Sequence, residues 1–515
     1  SKAFRFAQEH LGDKPVRAIL FTHSHLDHFG GVRGILQHLS EKEKKNLRII
    51  APEGFEEEAT SENIIAGPAM GRRAGFMYGR DLARNERGHV GSGLGKGPAF
   101  GGFGFAEPTE VIRETGETLT VDGVPMEFQI VSGTEAPAEF TFYLPEHRAF
   151  CGAELVSQNM HNLYTLRGAK VRDAHLWSDM IEQARTRFAD AGVYFGSHHW
   201  PVWGRDEVQD FLKKQRDTYR FIHDQSVRRL NAGATPTEIA DALELPPSLR
   251  EDFHNQGYYG TVAHNARAVY QYYMGWYDAN PAHLNPLPDA ETAGRYVEMM
   301  GGADRVMEQA RDEFKAADDM TPDEGRRSYR WLAELLNKLV FAQPGHSEAK
   351  ALLAKVYEQL GYQAQSGPWR DVYLSGAHEL REGATERGLE PAVMREIMAH
   401  TPVERFFDSM AVRLNADAAR GESVRIRITF KDLDKSYLLN VENSVLHHRP
   451  ADANTEADAA LTLTRPMFLN LLLGEVGLKE FIFSDDLNVD GSRLALIGFF
   501  RMLDDPKGRF NIVTP

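Results

Sequence analysis

Cysteine is nearly missing: Cys151 is the single one in 515 residues. No disulfide can form within the chain, so any rigid site has to be built by packing, hydrogen bonds or metal ligation. Long apolar runs are missing too, and nothing approaches the roughly 20 residues that cross a bilayer. Positive charge is in deficit, with 59 Lys and Arg against 74 Asp and Glu, a formal net charge of −15. That balance argues against a general nucleic-acid binder, and it means an anionic ligand needs a local cationic pocket. Lys2 to His10 reads as the end of an amphipathic helix, not as a secretory signal. A chain of this length exceeds one core, and 42% hydrophobic with 26% charged residues is ordinary for a globular protein of two to four domains.

What is present is concentrated in one stretch, Thr22-His23-Ser24-His25-Leu26-Asp27-His28-Phe29-Gly30-Gly31. It follows the apolar run Ala18-Ile19-Leu20-Phe21, which reads as a buried strand, and the glycine pair reads as a turn into a helix. Histidines two apart on extended backbone point the same way, so one metal can take both His23 and His25. Asp27 and His28 lie where the chain bends and can face a second metal. Imidazole and carboxylate donors suit zinc, and metals about 3.5–4 Å apart form a hydrolytic pair.

Residues 16–52 read as strand, loop, helix and strand. Residues 53–106 differ, with Arg72, Arg73, Arg80, Arg84 and Arg87 among large apolar side chains, then a glycine-rich stretch around Gly91 to Gly97. Its spacing is not that of a nucleotide-binding loop, and it reads as a flexible lid or entrance loop, or else as a stretch whose amides or Lys96 contact an anion. Alternating strands resume from Thr118, and two carboxylates, Glu135 and Glu154, end strands. A later strand runs into Ser197-His198-His199-Trp200-Pro201. After Trp203 the period becomes helical, with a helix start at Thr235-Pro236-Thr237-Glu238. The helices of 331–341 and 347–360 look like a tetratricopeptide-type hairpin. From His400 onwards strands at 424–430, 436–442 and 459–463 mix with an amphipathic helix at 406–415 and apolar helices at 466–473 and 494–502. This tail resembles the sterol-carrier-protein-2-like fold, which implies an apolar tunnel.

The opening stretch resembles the HxHxDH signature of the metallo-β-lactamase superfamily. That implies an α/β, αββα fold with its ligands on loops at strand ends. Such folds place several strands before this motif, so an N-terminal segment is expected to be missing from this chain. Where relatives use a further histidine and a bridging aspartate, the matching strand ends here offer Glu135 and Glu154. The resulting assignment is His23, His25 and Glu135 on one zinc, Asp27, His28 and His199 on the other, and Glu154 between them. His198 stays open as the alternative to His199.

The glutamates narrow the resemblance. Together with Gly133-Thr134-Glu135-Ala136-Pro137, Ala153-Glu154 with His161-Asn162, and Tyr259-Gly260 with His264-Asn265, the motifs look like the zinc-dependent alkyl sulfatases (type III sulfatases). The resemblance runs to nearly the last residue. It implies hydrolysis of amphiphilic alkyl sulfate esters such as dodecyl sulfate by two zinc ions per chain, and a homodimer. It also implies a secreted or periplasmic bacterial setting. It places Tyr259, His264 and Arg267 at the sulfate, with His161 as candidate leaving-group acid, oriented by Asn162. Asp27 counts with His161 as catalytic. The expected domains are catalytic at 1–285, an all-α dimerisation domain at 286–399 and an α+β domain at 400–515. Competing readings are another hydrolase of the same fold, acting on lactam or thioester bonds, and a lipid-binding protein with a vestigial metal site.

Overall fold

The structure, a computed structural model, describes residues 2–61, 64–97, 102–385, 395–452, 454–477, 480, 487–505 and 508–515. Contacts divide the chain into two compact units, each assembled from separate stretches. The first takes Ser1–Ala69, Phe100–Val111 and Leu389–Lys507; the second takes Met70–Ala99, Ile112–Gly388 and Gly508–Pro515.

In the first unit, Ala18–Leu20 pairs in parallel with Arg48–Pro52, and Glu110–Ile112 completes a three-stranded sheet. Between the parallel strands run three short helices, Leu26–Phe29, Arg33–Leu36 and Glu41–Asn46. The last begins at a capping box in which Ser40 and Glu43 satisfy each other's backbone N–H groups. Phe21, Phe29, Phe55 and Phe105 are buried against one another, with Phe21 and Phe55 stacked at 5.1 Å. This aromatic cluster anchors the turn that leaves Ala18–Leu20, and the histidine stretch rides on that turn.

The carboxy-terminal part of the same unit is a five-stranded sheet in the order Val445–Pro450, Lys435–Glu442, Val424–Phe430, Ala459–Leu463, Asn488–Gly491. Val424, Ile426, Ile428 and Phe430 are buried while the residues between them are partly exposed, the period-2 pattern visible in the sequence. The sequence reading misses the strands at Val445–Pro450 and Asn488–Gly491, which are edge strands with little buried apolar surface. It also starts the helix Val403–Ala411 three residues late, because its first apolar position, Val403, stands directly behind Pro402.

The second unit holds a six-stranded sheet whose strands follow chain order: Thr118–Val121, Val124–Ile130, Phe140–Leu144, Ala149–Cys151, Val193–Phe195, Val202–Trp203. Every neighbouring pair is antiparallel except Ala149–Cys151 with Val193–Phe195, which needs a crossover. The helix Ala174–Arg187 supplies it, capped by the Asp173 carboxylate. Trp177, Tyr194, Phe150, Phe188 and Tyr219 form the core beneath. The 27-residue helix Arg205–Asn231 packs there too. Beyond Thr235, whose capping box the sequence shows, the unit is helical. Pro322–Ala342 and Ser347–Tyr362 form the expected hairpin, burying Leu332, Leu336, Leu353 and Val356. Among the described residues no helix is long and apolar enough to cross a membrane.

Candidate metal centre

Extended backbone at His25 precedes the one-turn helix Leu26–Phe29, so the histidine stretch changes direction where the sequence predicts. His23 is fully buried, and its ring meets His25 edge-on at 5.1 Å and His28 at 4.0 Å. His23 and His25 each bring a ring nitrogen within 4.8 Å of the other's. Thr22 Oγ1 lies 3.0 Å from His23 Nδ1 and fixes the ring. Asp27 Oδ2 lies 3.3 Å from His28 Nε2. One unit thus gathers three imidazoles and a carboxylate on six consecutive residues.

The second unit gathers carboxylates. Glu135 and Glu154, both 3% exposed, bring carboxylate oxygens within 4.8 Å of each other. Glu135 Oε1 accepts from Arg172 Nη2 at 2.5 Å, and the same arginine donates to the Glu135 backbone carbonyl and to Asn162 Oδ1. His161 is buried beside them, with Nε2 3.2 Å from Glu154 Oε1 and Nδ1 2.9 Å from the Asn162 carbonyl. A third carboxylate, Glu139, is fully buried, and burial, reinforced by Glu135 and Glu154, pushes its pKa up to about 8.

His198 and His199 separate here. His198 Nε2 stands 3.3 Å from Glu154 Oε1. His199 has a positive φ of 66°, and its Nε2 faces the Gly93 carbonyl at 2.9 Å. The left-handed backbone turns consecutive histidines to different partners, and burial lowers the His199 pKa. Of the two adjacent histidines, His198 stands beside Glu154 and His199 beside the Gly93 carbonyl.

The residues that the resemblance implies at the sulfate have these surroundings. Tyr259 is buried, its ring 4.8 Å from His161 and its hydroxyl 3.4 Å from Tyr78. Gly260 follows because a Cβ there would lie 2.4 Å from the His161 carbonyl oxygen. His264 has both ring nitrogens committed, Nε2 to the Tyr164 carbonyl and Nδ1 accepting from Trp369 Nε1, and burial lowers its pKa. Asn162 is committed to Arg172. Arg267 donates to the Ala263 carbonyl, and burial, then Arg330, lowers its pKa.

The glycine-rich stretch is pinned, contrary to its reading as a flexible lid. His89 is buried, 2.7 Å from Asp371 through Nδ1 and 2.7 Å from the Lys96 carbonyl through Nε2. The Gly93 carbonyl receives Asn159 Nδ2 as well as His199. Gly93 has φ +86°, and a Cβ would come 2.2 Å from the Tyr258 carbonyl.

Sequence reasoning passed over Arg172 and Glu139, although each carries a signal. Arg172 immediately precedes the N-cap of a helix, where the dipole disfavours a cation, so it needs another partner. Glu139 opens the apolar strand Phe140–Leu144 on a residue that has no place in a core unless bonded.

Both halves fit a metal. Buried carboxylates crowded together are costly without a cation, and imidazole with carboxylate oxygen is a zinc donor set. Residues 1–198 match the metallo-β-lactamase superfamily, which gives the class of fold on which these donors are mounted. Residues 235–383 match the alkyl sulfatase dimerisation family and 391–515 the alkyl sulfatase C-terminal family. A linear primary-alkylsulfatase of Pseudomonas sp. is 42% identical over 98% of this chain and 74% of its own length. An alkyl/aryl-sulfatase of Saccharomyces cerevisiae is 42% identical over the whole chain and 78% of its own. The solved structure of a stereoselective inverting sec-alkylsulfatase from Pseudomonas sp. superposes with a TM-score of 0.91 at 38% identity, covering 100% of this chain and 80% of that one. The chain belongs to the alkyl sulfatase family, sulfuric ester hydrolases on a metallo-β-lactamase fold. Its relatives include a yeast protein, so membership does not carry the expected bacterial setting.

Proposed function

We propose that the protein hydrolyses alkyl sulfate esters to the alcohol and inorganic sulfate at a site for two zinc ions. His23, His25 and Glu135 would hold one, Asp27, His28 and His198 the other, with Glu154 between them. The observation that carries the reading is likeness to alkylsulfatases along the whole chain, whose histidines and carboxylates include groups that could hold metal. Bound zinc would supply a Lewis acid and lower the pKa of a water beside the ester.

The remaining work falls to the chain's own side chains. Arg172 orients Glu135, and His161 faces Glu154, so both carboxylates are held by hydrogen bonds from behind. The ester is an anion, and the guanidinium of Arg267 and the hydroxyl of Tyr259 are our candidates for its sulfate oxygens. His264 and Asn162, which the resemblance also implies at the substrate, are held by Tyr164, Trp369 and Arg172. His161 is our candidate for protonating the alkoxide leaving group.

The test is sulfate release from a panel of alkyl and aryl sulfates, with a β-lactam and a thioester as controls. Sulfate release with no lactam or thioester turnover is expected, and Asp27→Ala and Glu154→Ala should abolish it. Lactam or thioester turnover without sulfate release would overturn the proposal in favour of another hydrolase of this fold. His161→Ala should cost about 10²–10⁴-fold on alkyl sulfates and much less on aryl sulfates, whose phenolate leaves unaided. Equal losses would leave His161 only the task of holding Glu154.

We further propose a homodimer built by the helical region that matches the dimerisation family. There Trp276 is 72% and Met299 86% exposed, apolar surface that a second copy would cover. A single-chain mass in solution would overturn it.

A further inference from the structure

Glu139 lies in neither ligand set, yet it is the only carboxylate among the described residues bonded to both glutamate-bearing turns. Its Oε2 accepts from the Ala136 backbone N–H at 3.3 Å and, on the other side of Glu135, lies 3.2 Å from the Thr134 hydroxyl, which is shared with the Val131 carbonyl at 2.7 Å. Its Oε1 accepts from the Glu154 backbone N–H at 3.2 Å. Its own backbone closes the loop: Val131 N–H donates to the Glu139 carbonyl, and Glu139 N–H donates to Ser132 Oγ at 3.2 Å. The side chain therefore points into the turn it closes and out to the next one.

A second observation shows what that turn needs. Ala153, directly before Glu154, has φ +47°, a left-handed conformation that a residue with a Cβ keeps only when its surroundings impose it. The Glu139 bond to Glu154 N–H sits on one side of this residue. On the other, the Ala153 carbonyl accepts from Ser197 N–H at 2.9 Å, one residue before His198. Three turns, those of Glu135, Glu154 and His198, are thus tied through backbone bonds that meet at Ala153 and Glu139.

We infer that Glu139 is a positioning residue that sets the spacing of the Glu135 and Glu154 carboxylates, and through Ala153 that of His198. The inference rests on the metal reading above, since spacing matters because these groups share metal ions. Glu139 touches neither ester nor metal in this account. It acts through the backbone of the residues that do.

Glu139→Gln keeps the shape and changes the bonding. An amide offers one acceptor, so its NH₂ must confront the N–H of either Glu154 or Ala136, and one tie is lost. Thr134→Val removes the hydroxyl that faces both Glu139 and the Val131 carbonyl and leaves every charge in place. Zinc per chain and zinc affinity, by competition with a chelator, are measured on the full chain beside the melting temperature of the metal-free protein. Glu139→Gln should bind zinc about 10–100-fold more weakly without lowering the metal-free melting temperature. Thr134→Val should shift affinity in the same direction by a smaller factor. A merely structural role would lower the metal-free melting temperature and leave affinity alone. Wild-type affinity in both folded variants overturns the inference while the metal reading stands. If Glu139→Gln does not fold, Thr134→Val decides alone. A wild-type chain that binds no zinc overturns both.

Discussion

At the scale of single residues, the sequence singles out residues that recur in the structure's candidate metal groups, and it says less of how they are oriented. His23, His25, Asp27 and His28 are legible because two local periods, extended and then helical, fix their directions. Glu135 and Glu154 are legible as carboxylates ending strands. The choice between His198 and His199 is not legible, since it depends on one positive φ that no flanking glycine announces. The geometry predicts that His198→Ala loses zinc from the purified chain, whereas His199→Ala retains it. Zinc content by elemental analysis separates the two, and the reverse pattern would restore His199 to the metal. Arg172 and Glu139 escape for a different reason: their partners are far away in sequence, and nothing local says which turn a buried charge will meet.

At the scale of elements, the strands and helices with a clean period are read correctly, and errors gather where period is absent. Edge strands with little buried surface vanish, and the glycine-rich stretch looks mobile because glycine usually marks freedom. Here glycine serves close approach, as at Gly93 against Tyr258, and a buried His89–Asp371 pair holds the loop. Removing one partner of such a buried hydrogen bond leaves the other unsatisfied and typically costs about 1–3 kcal/mol. His89→Ala should therefore lower stability in denaturant by that order and speed hydrogen exchange at residues 88–97. It should also speed exchange around Asn159 and His199, which share the Gly93 carbonyl. Unchanged exchange in those segments would mean that the loop is held by its other contacts.

At the scale of the whole molecule, function was legible because motifs spread over the chain agree with one another. A lone HxHxDH stretch gives a superfamily; the glutamates, the Tyr259-Gly260 turn and the carboxy-terminal pattern narrow it to alkyl sulfatases. The linear order of domains does not foretell the compact units, which draw on discontinuous segments. That follows from topology, since sheets join strands by proximity in space and not in sequence.

The central claim is that this chain's histidines and buried carboxylates bind two zinc ions and that sulfate ester hydrolysis needs them. The direct measurement strips metal from the purified protein with a chelator, then titrates zinc back while sulfate release from dodecyl sulfate is followed below its micelle threshold. The account predicts that activity vanishes on stripping and returns in proportion to zinc, reaching its plateau at two equivalents per chain. Full activity in metal-free protein, or a plateau at one equivalent, would contradict it.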